Sequence, residues 1–184
     1  MAIPSSFRAN RAIGAMFFSV FGGIFFAVWY FRDNIESTLV LALIILLTLC
    51  MVLFAIVTYN KNKTAFNDEK ETPEKKKADK LFHIINAGQW ILILIVGNLL
   101  ANFGLPNLVI PAAIVIIGAH FLPLAVIFKY YPHYITGLLI ITWAVVYPLL
   151  TGASNQGVFI GPGIILWLSA LLGMTIKPFE TGIL

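Results

Sequence analysis

Six stretches of this chain are apolar over about the 20 residues that a helix needs to cross a bilayer core, and none contains Asp, Glu, Lys or Arg. They run over Ala12–Phe31, Thr38–Tyr59, Leu81–Asn102, Asn107–Phe128, Tyr134–Leu150 and Val158–Ile176. The fifth is short, and the start of the sixth is blurred by Gly161, Pro162 and Gly163. Over 184 residues, 60% are apolar and only 11% charged, where a soluble domain carries about 25% charged residues. A soluble core of this size could not hide that much apolar surface. The composition therefore excludes a soluble globular enzyme, a disordered chain and a disulfide scaffold. The predicted fold is all-α: a bundle of six transmembrane helices in one integral membrane domain, with the bilayer as its main partner.

The net charge of +4 reports orientation, and nucleic acid is not an expected partner. Eleven of the twelve Lys and Arg residues fall on one side of the predicted membrane, at the N-terminus, over Asn60–Lys80, at Lys129 and at Lys177. The other side holds Arg32 alone. The positive-inside rule then gives an N-in, C-in topology in a cell membrane. The first stretch is longer than a signal-peptide core and no A-x-A-like site follows it, so it reads as a retained helix.

The basic segment 60–80 is expected as a cytoplasmic loop. Within it, Thr72-Pro73-Glu74 has the form of a helix start. Its lysines serve as an orientation signal and a solvated surface, or as a contact for anionic lipid or a protein partner. Cys50 lies in an apolar run and reads as a buried structural thiol. No His/Cys cluster has metal-site spacing, and no cofactor is expected.

Small residues recur every fourth position at Ala15, Ser19, Gly23 and Ala27, a stripe that allows close helix packing in lipid. The partner helix can belong to the same chain or to a second copy. In the third stretch His83, Asn86, Gln89 and Trp90 share an arc of about 120°, continued by Gly97 and Ala101. Polar groups at that depth require partners, so the arc is expected to face the bundle interior. It serves interhelical hydrogen bonding or lines a ligand cavity.

In the fourth stretch, Pro123 lacks an N–H and leaves the carbonyl of Ala119 without its helical donor, predicting a kink beside His120. His120 is a structural hydrogen bonder, a proton relay, a ligand contact, or a metal or haem ligand. Its offset in depth from His83 argues against a bis-histidine haem between their helices. At 1.5 Å per residue, Gln89 and His120 each lie about 12 Å from the basic end of their helices. Thr142, Trp143, Ser19, Trp167 and Ser169 fall in nearly the same layer, with Tyr147 beyond.

The run Gly118-Ala119-His120-Phe121-Leu122-Pro123-Leu124-Ala125, followed by Tyr130, Tyr131 and Gly137, resembles a group of small bacterial multi-span membrane proteins. The resemblance implies a bacterial cytoplasmic membrane and no mechanism. The expected function is binding or transport of a small uncharged or weakly polar solute through Asn86, Gln89, Trp90, His120, Thr142, Trp143 and Tyr147. The alternative is a non-catalytic subunit or sensor acting through helix packing and the basic segment. An enzyme is not expected, since no acid or nucleophile partners His120.

Overall fold

A computed structural model describes residues 5–67, 72–152 and 155–175. It contains six helices: α1 (Ser5–Arg32), α2 (Thr38–Asn67), α3 (Pro73–Asn102), α4 (Val109–Ile127), α5 (Pro132–Thr151) and α6 (Ile160–Thr175). Short 3-10 turns at Pro106–Leu108 and Gln156–Phe159 lead into α4 and α6. Among the described residues there is no strand. Each apolar stretch forms a helix long and apolar enough to cross a membrane, counting the 3-10 turn with α6, and the architecture is that of a multi-pass integral membrane protein.

Segment 60–80 departs from the expected loop. No Gly or Pro interrupts the chain between Thr38 and Pro73, so nothing breaks the helix where the apolar stretch ends. α2 runs past Tyr59 to Asn67, and the Asn62 side chain donates back to the Thr58 carbonyl at 2.7 Å. α3 starts at Pro73, with the Thr72 hydroxyl accepting from the Lys75 N–H at 3.2 Å. The basic residues described here therefore sit largely on two helical extensions. Lys70, Ile176 and Lys177 lie outside the described residues.

Neighbouring helices stand in the order α2, α1, α6, α5, α4, α3. Phe18, Phe25 and Trp29 of α1 also reach a core formed by Ile114, Phe121, Leu124, Ile140, Ala144, Val158, Phe159 and Leu166. The centre is thus α1, α4, α5 and α6, flanked by α2 and α3. This arrangement corrects one sequence expectation: Cys50 is exposed on α2. α2 is apolar on every side, so its sequence does not mark which face meets α1.

The stripe on α1 packs within the chain. Ala15, Ser19 and Gly23 are buried and Ala27 is half-buried. Ala15 belongs to a cluster with Met51, Ala55 and Ala170, while a Cβ at Gly23 would strike the Thr48 side chain on α2. On the α6 side, Trp167 Nε1 donates to the Ser19 carbonyl at 3.0 Å, and the indole lies against Gly22. Small residues on α1 thus bring α2 and α6 close on two flanks.

Gly161, Pro162 and Gly163 are helical and buried at the start of α6. The two glycines seat rings from opposite neighbours, Trp143 of α5 against Gly161 and Phe26 of α1 against Gly163. Proline so near a helix start loses no intrahelical hydrogen bond. Between α4 and α5 the contact is backbone on backbone. A Cβ on Gly137 would lie 2.6 Å from the Gly118 carbonyl oxygen, and one on Gly118 would lie 2.9 Å from that of Gly137.

Candidate functional site

α3 has no buried residue. Its polar arc is therefore turned toward the bundle only in part, with Asn86, Gln89 and Gly97 on the half-buried face and His83, Trp90 and Ala101 exposed. α3 stands at the end of the row and touches chiefly α4, so one flank of the arc meets a helix and the other meets lipid. Asn86 and Gln89 are half-buried, while His83 is exposed and Trp90 is 55% exposed.

Gln89 and His120 come together. An open groove of about 270 Å³ runs between α3 and α4, lined by Ile85, Gly88, Gln89, Leu92, Val115, Ile116, Ala119 and His120. Only Gln89 and His120 bring polar side chains to it. Gly88 has nothing within 4 Å of where a Cβ would stand, which keeps the groove wide on the α3 side.

α4 remains helical through Pro123. His120, one turn before it, directs Nδ1 at the Ile117 carbonyl, 2.5 Å away. A carbonyl can only accept, so Nδ1 carries the proton and Nε2 of the neutral ring is an acceptor. The ring also packs on Phe121, with centroids 4.3 Å apart. Gln89 Oε1 is enclosed and has no hydrogen-bond partner. An amide oxygen left unmatched in an apolar medium costs several kcal/mol. The groove thus brings the Nε2 acceptor of His120 and the Gln89 amide, which both accepts and donates, to an otherwise apolar wall.

The remaining candidates lie elsewhere. Trp143 donates Nε1–H to the Val158 carbonyl at 3.0 Å and stacks on Tyr147 at 4.8 Å. Tyr147 donates to Asn155 Oδ1 at 3.1 Å. These two rings anchor the turn before α6, and their polar atoms are engaged there. Thr142 is exposed on α5. Ser169 meets the buried Thr136 hydroxyl at 2.8 Å, tying α6 to α5.

His133 is the residue that sequence reasoning passed over. It sits in the first turn of α5 among aromatic rings: Tyr130 at 4.9 Å, Phe18 and Phe121 each at 5.8 Å, and Phe128 at 6.4 Å. Its Nδ1 is enclosed without a partner. Beside it Arg11 donates to the Tyr130 hydroxyl at 3.0 Å and lies over the rings of Phe7 and Tyr130. The available signal was Pro132, which suits a first helical position and so places His133 inside the helix. Among the described residues, no group of three or more His, Cys, Asp or Glu is placed to hold a metal ion.

No family model, curated protein or solved structure matches the chain.

Proposed function

We propose that this membrane protein binds a small uncharged or weakly polar molecule in the groove between α3 and α4, without catalysing a reaction on it. The observation that carries this reading is that Gln89 and His120 are the two polar side chains on an otherwise apolar groove, with Gln89 Oε1 unpartnered, so that a turn of the amide toward the groove gives it a donor on a ligand. An apolar cleft with a few convergent polar groups is the usual form of a small-molecule site. The groove lies between α4 and α3, the helix at the end of the row, which suits a ligand that enters from the lipid phase. A charged ligand would meet no counter-charge there and would be expensive to bring to that depth.

Saturating neutral ligand at about a hundredfold excess over Kd should stabilise the protein by about 2.7 kcal/mol. Thermal unfolding in detergent, with indole, cyclohexanol and benzyl alcohol set against benzoate and divalent metals, reads this directly. Gln89→Leu and His120→Ala should each abolish the neutral-ligand shift. Stabilisation confined to metals or multiply charged anions, or a neutral shift untouched by both substitutions, overturns the site.

We further propose the N-in, C-in orientation in a bacterial cytoplasmic membrane, on the strength of the basic residues gathered at one end. In a Cys50→Ala background, Asn155→Cys should react with a membrane-impermeant maleimide in intact cells. Lys61→Cys should react only after permeabilisation. Labelling of both, or of Lys61→Cys alone, refutes this orientation.

A further inference from the structure

A second groove of about 330 Å³ lies toward the opposite end of α4, lined on α4 and α5 by Pro111, Ala112, Val115, Ala144, Val145 and Pro148, among others. Every lining side chain is apolar. Val115 lines both grooves, so the polar pair and the apolar cleft adjoin along one helix. From His120 to Leu108, which lines the second groove just before α4, the chain rises about 18 Å. One leaflet of a hydrocarbon core is about 15 Å thick. The two adjoining grooves together span about the length of a single lipid tail.

We infer that the ligand is a single-tailed amphiphile with a neutral hydrogen-bond-donating head, seated with the head at Gln89 and His120 and the tail along α4 and α5 toward Leu108. This rests on the binding site proposed above and specifies its ligand. The head must be able to donate, because Nδ1 of His120 is already committed to Ile117 and both Nε2 and Gln89 Oε1 accept; the Gln89 NH2 can donate in turn to the head's oxygen. It must be uncharged, because the groove offers no ion to pair with it. A hydroxyl on a long chain meets both conditions. An ether or ester of the same length leaves the Gln89 oxygen unmatched.

The test uses the whole protein in lipid nanodiscs with 1-dodecanol, dodecyl methyl ether and 1-butanol as probes, and binding read by native mass spectrometry. 1-Dodecanol should bind about tenfold more tightly than the ether, the effect of one satisfied buried hydrogen bond. Ala112→Phe fills the apolar cleft and should weaken 1-dodecanol about tenfold while leaving 1-butanol unchanged. Val145→Trp, at an exposed position on α5, should do the same if Ala112→Phe fails to fold. Equal binding of alcohol and ether, or indifference of 1-dodecanol to both cleft-filling variants, overturns the inference. In that event, probe binding that still falls in Gln89→Leu and His120→Ala keeps the underlying site. Binding indifferent to those two variants as well, or no binding of any probe, removes both.

Discussion

Gly137→Ala should destabilise the protein by about 3 kcal/mol, at the upper end of what overpacking costs. The added methyl would sit 2.6 Å from the Gly118 carbonyl oxygen and 3.1 Å from Phe121 Cβ. Neither is the far end of a flexible side chain, so relief requires α4 and α5 to move apart. That movement loosens Phe121, Leu124 and Ile140, all buried in the central core. Gly118→Ala should behave alike, since its Cβ would lie 2.9 Å from the Gly137 carbonyl and 3.0 Å from the Ile141 N. Gly14→Ala is the control, because nothing lies within 4 Å of its Cβ position. There the change should be neutral or stabilising by up to about 1 kcal/mol, the helix-propensity gain of Ala over Gly. Unfolding by titration of sodium dodecyl sulfate into mixed micelles separates the two outcomes. Matching stabilities of Gly137→Ala and Gly14→Ala would remove the close approach from the account of the fold.

The helices were legible in the sequence because lipid imposes one simple demand, about 20 residues without a charge. Pro73 could be read as the first residue of α3 because capping chemistry is local. What the sequence hides is rotation about each helix axis. A helix apolar all round carries no stripe to orient it, so the lipid-facing position of Cys50 had no sequence mark. Polarity then misleads in the other direction. The arc on α3 looked inward-facing as a whole, yet α3 stands at the end of the row and only part of the arc meets α4. Its Gln89 reaches a groove wall while Trp90, one residue on, is 55% exposed. Gln89 and His120 shared a predicted depth, and the structure brings both to one groove. Trp143 shared that depth too, but its indole N–H is held by the Val158 carbonyl. Depth follows from counting residues along a helix; direction depends on which helices are neighbours, and here the row order differs from the chain order.

Gly161→Ala should cost about 3 kcal/mol for a different reason from Gly137→Ala, and the difference can be measured. Its methyl would enter the ring of Trp143 rather than a backbone. An unrestrained indole could swing aside at little cost. This one is held by its hydrogen bond to Val158 and by stacking on Tyr147 with the ring planes 20° apart. Tyr147 is held in turn by Asn155 and lies against Gly157, where a Cβ would strike its hydroxyl. Trp143→Leu alone removes the ring and strands the Val158 carbonyl, which should cost about 3 kcal/mol in packing and lost hydrogen bonding. In the double variant the methyl at position 161 occupies space that the ring has vacated. The combined loss should therefore fall short of the sum of the two single losses by about 2 kcal/mol, a coupling expected of groups in direct contact. The same titration on all three variants closes the cycle. Strict additivity would mean that Gly161 is needed for the helical start of α6 and not for seating the ring.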